Sequence, residues 1–194
     1  MVHIGIDLSI NSTGLVIEHE NGTFDYYIIT SKSTKKLVNW KDPRVNVIIY
    51  ERIEVSKDAS YSEKEAIKTR NLINIVNAIR DIVWKFSGDA IAFIEGISYG
   101  STRTTALADL AGLNYMVRYI LNNLRIPSII ISPMENKKLA CGIGNADKDV
   151  MIASWLKCQP KMKGVEKLIK SDDIADAYFL SQIKKDCESL VNYL

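Results

Sequence analysis

Three short runs of alternating apolar and polar residues occupy the first thirty positions, and they constrain the fold more than any other feature of the sequence. The runs cover residues 2–8, 14–19 and 24–30, are rich in β-branched residues, and have Asn21-Gly22 between the last two. Alternation with a period of two predicts β-strands, and an Asn-Gly pair between such runs predicts a tight hairpin turn. We therefore predict that the chain opens with an antiparallel three-stranded meander.

Helical and strand patterns alternate along the remainder of the chain. Apolar residues recur at helical spacing in several segments, and short apolar runs typical of buried strands lie between some of them. The helical segments are residues 63–86, 104–124, 147–156 and 172–185, and the strand segments are residues 90–94 and 127–132. Strands first, followed by alternating helix and strand, predict an α/β fold with a mixed five-stranded sheet and helices on both faces.

Residues 31–60 fit neither pattern well. They mix lysine, asparagine, aspartate and Pro43 with one short apolar run at residues 45–49. We interpret this segment as an insertion, in which residues 45–49 are a candidate extra strand. A chain of 194 residues can bury one α/β core but is short for two domains. We therefore predict a single domain over residues 1–194.

Several classes of protein are disfavoured by the sequence. No apolar run is long enough to span a membrane, and residues 1–8 lead into a strand without the basic region and apolar block of a secretory signal. We expect a cytoplasmic protein with no membrane partner. The cysteines Cys141, Cys158 and Cys187 are widely spaced and form no CxxC pair, which argues against a disulfide framework and a structural zinc site.

Charge is unevenly distributed along the chain. The net charge of +2 is too small to indicate a nucleic-acid partner, but residues 133–170 contain eight lysines and four acidic residues. Such a segment is a candidate surface for binding phosphates. Charge counting alone supports a solvated lysine-rich helix face equally well.

Carboxylates stand at the ends of two predicted core strands. Asp7 ends the first strand, and Glu95 directly follows the apolar run at residues 90–94. An ionised carboxylate beside a core strand is unfavourable unless it has a partner. Asp7 alone would be explained as the cap of the following turn. The repetition at Glu95 makes a shared functional role the stronger interpretation.

A third group of acids opens the last predicted helix. Asp173 and Asp176 are three residues apart and share one helix face. Acids stabilise helix N-termini, which is a sufficient explanation for Asp172 and Asp173, whereas Asp176 lies within the apolar face. Clustered carboxylates repel one another unless a cation neutralises them, and hard oxygen ligands select Mg²⁺ or Mn²⁺. We predict a phosphodiesterase site with two such ions, bridged by Asp7.

The order of these acids resembles that of the RuvC family of Holliday junction resolvases over nearly the whole chain. Gly5-Ile6-Asp7 with Thr13-Gly14 is similar to the opening motif of the family, Ile94-Glu95 to its second motif, and the segment from Asp173 to Ala177 to its closing motif. The resemblance implies a ribonuclease-H-like fold. It also implies that the metal ligands and catalytic acids are Asp7, Glu95, Asp173 and Asp176.

A lysine-rich segment extends the resemblance. Lys137 and the segment Gly142-Ile143-Gly144-Asn145-Ala146-Asp147-Lys148 are similar to the lysine, GxG and lysine with which the family contacts DNA near its active site. The resemblance implies that Lys137 and Lys148 contact phosphates and that Lys148 assists catalysis by stabilising developing charge. We expect Lys138 and Arg103 to contact DNA as well. Exposed, solvated side chains are the alternative for the lysines.

The sequence departs from the family at the residue that wedges into the junction. The family has an aromatic residue three positions after the second acid, where this chain has Ser98, and Tyr99 follows. Tyr99 is a candidate wedge, because separating stacked bases requires an apolar ring at the branch point. Packing of Tyr99 at the end of the strand is the alternative.

The resemblance implies an endonuclease that resolves four-way DNA junctions by paired symmetric cuts. Debranching of three-way junctions and flaps is the nearest alternative, and a branch-binding module without catalysis is another. Actin-like and sugar-kinase ATPases also open with a strand, an aspartate and a glycine turn. They require two such domains around the nucleotide, however, and this sequence shows no second phosphate turn.

Paired cuts require two active sites, so we expect a homodimer with two-fold symmetry. The predicted helix at residues 104–124 has more apolar surface than one sheet-facing stripe needs and is the candidate interface. Its candidate interface residues are Leu107, Leu110, Ala111, Met116, Tyr119 and Ile120. Burial of this helix in the core of the monomer is the alternative.

Overall fold

The computed structural model describes residues 1–31, 42–97, 104–167 and 170–183. The strands in these ranges are β1 (Val2–Asp7), β2 (Ser12–Glu18), β3 (Phe24–Thr30), β4 (Val45–Ile49), β5 (Ala90–Glu95) and β6 (Ser128–Ile131). The α-helices are α1 (Tyr61–Val83), α2 (Thr104–Asn123), α3 (Pro133–Cys141), α4 (Lys148–Cys158) and α5 (Ser171–Ser181). Tyr99, Arg103 and Cys187 lie outside the described residues.

The strands form one mixed sheet in the order β4-β3-β2-β1-β5-β6. The pairs β1–β2 and β2–β3 are antiparallel, which is the predicted meander. Strands β5 and β6 extend the sheet in parallel from the other side of β1. Because β1 and β5 are adjacent and parallel, with Ile6 opposite Ile94, their carboxyl ends lie at the same edge.

The predicted number of five strands is wrong, because the sheet has a sixth strand, β4. This strand pairs in parallel with β3, with Val45 opposite Tyr26, and forms one end of the sheet. Only Val45 of its five residues is buried, so the strand has little of the apolar signal of a central strand. Residues 45–49 are the run that the sequence marks as a candidate extra strand. The assignment of residues 1–194 to one domain with an insertion at 31–60 stays a prediction.

Helix α3 is absent from the periodicity-based prediction, and its local structure explains why. Ser132 accepts a hydrogen bond from the Glu135 backbone N–H, Pro133 is the first helical residue, and Gly142, with φ of 77°, ends the helix. These are strong start and stop signals. The buried residue of α3 is Asn136, so the helix lacks the apolar stripe on which periodicity depends.

Helices cover both faces of the sheet, as the α/β interpretation predicted. On one face, Ile4, Ile6 and other strand residues pack with α1 and α2, and Ile79 and Leu113 are among the helix residues buried there. On the other face, residues of β2 and β3 pack with α4 and α5, with Trp155 at the centre. No helix within the described ranges is long and apolar enough to cross a membrane.

Helix α5 lies directly on the backbone of β1 and β2 at two glycines. A Cβ atom built on Gly5 would stand 1.9 Å from the Ala177 carbonyl oxygen, and one built on Gly14 would stand 2.0 Å from the Asp173 carbonyl oxygen. Any side chain at either position would therefore push the helix away from the sheet. Gly14 pairs with Asp7 across the β1–β2 ladder, so this contact places the start of α5 beside the end of β1.

We predict that Gly14→Ala and Gly5→Ala destabilise the protein, because the nearest atoms are helix backbone that cannot rotate away. Overpacking of a core costs about 1–3 kcal/mol, and in a domain of this size about 1 kcal/mol lowers the Tm by roughly 2–4 °C. Thermal unfolding monitored by circular dichroism measures the effect. Gly112→Ala is the matched control, because its Cβ would meet no atom closer than 3.8 Å. Variants of Gly5 and Gly14 as stable as Gly112→Ala would contradict the close packing.

Candidate active site

Four predicted site acids come from three elements that meet at one edge of the sheet. Asp7 ends β1, and Glu95 ends the neighbouring parallel strand β5. Asp173 and Asp176 lie in the first turns of α5, which crosses the sheet at Gly14. The charges of Glu95, Asp173 and Asp176 all act on Asp7, whose side chain also interacts by hydrogen bonding with Glu95. The structure therefore brings the four carboxyl groups together.

Burial raises the pKa of every one of these acids. For Asp7, desolvation is the largest cause and the charge of Glu95 is the next. Together they hold the pKa of this carboxyl group well above its usual value. Desolvation also raises the pKa of Glu95. Desolvation also raises the pKa of Asp173 to about 6 and that of Asp176 to about 7. The negative charge of Glu95 raises the pKa of Asp176 further. The protein thus disfavours four negative charges here unless a cation is present.

The acids differ in their hydrogen bonds. Asp173 is 8% exposed, and its Oδ2 accepts a hydrogen bond of 2.5 Å from the Ser12 hydroxyl. The Oδ1 of Asp176 is buried and has no hydrogen-bond partner among the residues that the structure describes. A buried carboxylate oxygen without a donor is unfavourable, and a bound cation would remove that cost.

The turn that follows Asp7 is held by hydrogen bonds within the turn and from neighbouring elements. The Thr13 hydroxyl donates to the Ser9 carbonyl oxygen at 3.1 Å and accepts from the Ser9 N–H at 3.3 Å. From β3, the Thr30 hydroxyl donates to the Asn11 carbonyl oxygen at 2.9 Å. Tyr50, which follows β4, donates to the Ile10 carbonyl oxygen at 3.0 Å. These contacts fix the turn against β2, β3 and the residue that follows β4.

Two predicted lysines flank the acids from different helices. Lys137 in α3 acts on both Glu95 and Asp176, where its positive charge lowers the pKa of each carboxyl group. Lys148, the first residue of α4, forms an ion pair with Asp172, and this hydrogen bond raises the pKa of Lys148. The Lys148 side chain is 75% exposed, so it remains accessible to a ligand. Lys138 is exposed on α3, and within the described residues no hydrogen bond or ion pair joins it to the acids.

Sequence reasoning missed three residues of this site. Ser12 holds Asp173, Asp172 holds Lys148, and the buried Asn136 donates to the Asp176 carbonyl oxygen. Asp172 is visible in the sequence as part of the pair Asp172-Asp173, but stabilisation of the helix N-terminus by acids is a sufficient explanation for it there. Ser12 and Asn136 are ordinary polar residues in the sequence, and only the packing of α3 and α5 shows that they are buried.

The donor set suits a hard divalent cation. All four acids offer carboxylate oxygens, which Mg²⁺ and Mn²⁺ prefer. No group of three or more His, Cys, Asp or Glu side chains in the described part of the chain is arranged as a finished metal site. Asp7 and Glu95 interact with each other, and Asp173 is directed to Ser12.

Comparisons with known proteins identify the fold. No protein-family model matches the chain, and no curated protein matches its sequence. Among solved structures, RuvC of Thermus thermophilus is 15% identical with a TM-score of 0.53, covering 93% of this chain and 91% of that one. The same enzyme in complex with a Holliday junction substrate is 16% identical with a TM-score of 0.54, covering 93% and 90%.

A third solved structure comes from a different source. The yeast mitochondrial Holliday junction resolvase Ydc2 is 14% identical with a TM-score of 0.52, covering 92% of this chain and 75% of that one. Two separate resolvases thus match the chain over nearly its whole length. The predicted resemblance is confirmed at the level of the fold: this chain has the ribonuclease-H-like architecture of the RuvC resolvases.

Proposed function

We propose that the chain is a structure-selective DNA endonuclease that resolves Holliday junctions by metal-dependent phosphodiester hydrolysis. The observation that carries this proposal is the cluster of Asp7, Glu95, Asp173 and Asp176, which three elements bring together at one edge of the sheet. The likeness of the fold to two junction resolvases supports the same substrate class.

A branch-binding module without catalysis is disfavoured by electrostatics. DNA phosphates are negative, so a cluster of carboxylates at the binding surface would weaken the binding of DNA. The same cluster also disfavours the folded state, since burial raises the pKa of each acid. Both costs disappear when divalent cations bind and bring phosphates with them. The acids therefore fit a metal-dependent enzyme better than a module that only binds DNA.

Each residue has a distinct chemical task in this proposal. Asp7, Glu95, Asp173 and Asp176 would hold one or two Mg²⁺ or Mn²⁺ ions, which supply Lewis acidity and lower the pKa of a bound water. Lys137 and Lys148 act on the acids from two different helices and would bind the phosphate that approaches them. Lys148 is exposed, and a phosphate oxygen would take the place of Asp172 as its partner. Lys138, with Tyr99 and Arg103, is a further proposed DNA contact.

The proposal is tested by cleavage of matched four-way, three-way and linear duplex DNA in Mg²⁺, in Mn²⁺ and in EDTA. We expect paired cuts in the four-way junction with either metal, no cutting in EDTA, and much slower cutting of the linear duplex. Faster cutting of three-way junctions and flaps would instead assign a general debranching activity. Absence of cutting in every substrate with both metals would refute the proposed function.

Asp7→Asn is the matched control for that experiment, since it removes one charge and a predicted ligand with little change in shape. We expect it to abolish cleavage and to leave junction binding in EDTA nearly unchanged, because the lysines are untouched. At pH 8 it should also raise the Tm in EDTA, because the raised pKa of Asp7 means that this carboxyl group disfavours the folded state above its ordinary pKa. Cleavage at the wild-type rate would exclude Asp7 as a ligand.

Lys148→Ala is predicted to slow cleavage while the protein stays folded. Lys148 is exposed and already paired with Asp172, so it is not a preorganised donor. We therefore expect the cleavage rate to fall by about tenfold, which is less than the roughly 10²–10³-fold cost of removing a preorganised donor. Single-turnover cleavage at saturating protein measures the rate. Lys157→Ala is the control, because Lys157 is also exposed and lies near the other end of α4. Equal rates for the two variants would show that Lys148 is only a solvated surface residue.

We also propose a homodimer, because two symmetric cuts require two sites. Of the predicted interface residues on α2, Leu110, Met116 and Ile120 pack against the core of the monomer. Tyr119 is 66% exposed, beside Tyr115 at 65%. These two tyrosines are one helical turn apart and form an exposed aromatic surface on α2.

Sedimentation at micromolar concentration is expected to show a dimer, and Tyr119→Lys is expected to shift it toward monomer by placing a charge at the interface. Trp84→Lys is the control, because Trp84 is 62% exposed and lies after α1 rather than on α2. A wild-type protein that sediments only as a monomer, with and without junction DNA, would contradict the dimer.

A further inference from the structure

Asn136 is buried on a helix that otherwise faces largely outward. It is 0% exposed, and it is the one buried residue of α3, all of which the structure describes. Its neighbours on the same helix include the half-exposed Lys137 and the exposed Met134 and Leu139. An apolar residue would be the ordinary choice at a buried position of such a helix. The choice of an amide therefore requires an explanation.

The Asn136 side chain connects the two elements that carry predicted metal ligands. Its Nδ2 donates a hydrogen bond of 3.2 Å to the backbone carbonyl oxygen of Asp176 in α5. The same side chain lies close enough to the Glu95 carboxyl group at the end of β5 to lower the pKa of that group. Both partners are acceptors, so the amide nitrogen has to face them. One NH₂ group can donate to both.

This arrangement is costly for stability. The Oδ1 of Asn136 is buried and has no hydrogen-bond partner in the described residues. An unsatisfied buried polar atom costs about 1–3 kcal/mol, and an apolar side chain of similar size would avoid that cost. The contacts of Asn136 are therefore better explained by the geometry that they impose on the acids than by the stability of the fold.

A second buried asparagine acts on the same acid from a different helix. Asn114 in α2 is 4% exposed, and its Nδ2 lies 3.4 Å from the backbone carbonyl oxygen of Glu95, to which it donates. Glu95 thus has its backbone held by α2, and its carboxyl group lies beside Asn136 and Lys137 of α3. Asn136 is the member of this pair that also reaches α5.

We propose that Asn136 is a positioning residue that sets the separation between the ligand of β5, Glu95, and the ligands of α5. This inference rests on the proposed function and deepens it, because it concerns how the same site binds its metal. Residues that orient metal ligands through hydrogen bonds typically change metal affinity by about 10–100-fold when they are removed. Asn136 is expected to belong to that class.

The test measures metal affinity by two readouts, Mn²⁺-induced thermal stabilisation of the protein alone and the Mn²⁺ dependence of junction cleavage. We expect Asn136→Ala to raise the Mn²⁺ midpoint by about tenfold or more in both, with cleavage partly restored at high Mn²⁺. Asn136→Leu keeps the branched shape of the side chain without the donor and is expected to behave in the same way. It provides a variant that folds if the alanine leaves a damaging cavity.

Two controls separate positioning from general weakening of the fold. Asn74→Ala removes an asparagine that donates to the Glu51 carbonyl oxygen at 2.9 Å, away from the acids. Ile79→Val removes a buried methylene on the opposite face of the sheet from α5. Both are expected to lower the Tm and to leave the Mn²⁺ midpoint unchanged.

The outcomes distinguish this inference from the proposed function. If the wild type responds to Mn²⁺ and the Asn136 variants have the wild-type midpoint, the positioning role is refuted and the nuclease assignment stands. An equal shift in Ile79→Val would also refute it, since a loss of stability would then be sufficient. A wild type that neither binds Mn²⁺ nor cuts junctions refutes the proposed function and this inference together.

Discussion

The close contact between helix α5 and the backbone of β1 and β2 is the constraint on which the site depends. Gly5 and Gly14 allow the Ala177 and Asp173 carbonyl oxygens to approach positions that any side chain would occupy. Gly14 is also the ladder partner of Asp7. The same contact therefore stabilises the packing of the helix and brings its acids to the carboxyl end of the central strand. A small loss of packing here would move charged groups relative to one another.

The cluster created by this contact is electrostatically unfavourable without a cation. Desolvation is the largest cause of the raised pKa of each of the four acids, and their mutual charges add to it for Asp7 and Asp176. The surrounding protein offsets only part of this, through the Ser12 hydroxyl, the Asn136 amide and the Lys137 charge. Stability and chemistry conflict at this edge of the sheet, as is common where a site is organised for a ligand.

The parts of the fold that were predictable are those with a strong periodic signal. Residues 2–30 alternate clearly and form the meander, and the long helices α1 and α2 have pronounced apolar stripes. Strand β4 was predictable only as a candidate, because a five-residue run at the end of the sheet buries one residue. Helix α3 was missed because its buried residue is Asn136, although Ser132, Pro133 and Gly142 mark its boundaries.

By itself, the sequence determined the α/β class, the strand order of the opening meander and the identity of the four acids, since these depend on local periodicity and on carboxylates at strand and helix ends. Tertiary structure decided which polar residues join them. Ser12 and Asp173 are 161 positions apart, and Asn136 is 40 positions from Asp176. Contacts at such separations arise from how α3 and α5 pack on the sheet, and burial, which gives these polar groups their effect on charge, exists only after that packing has formed.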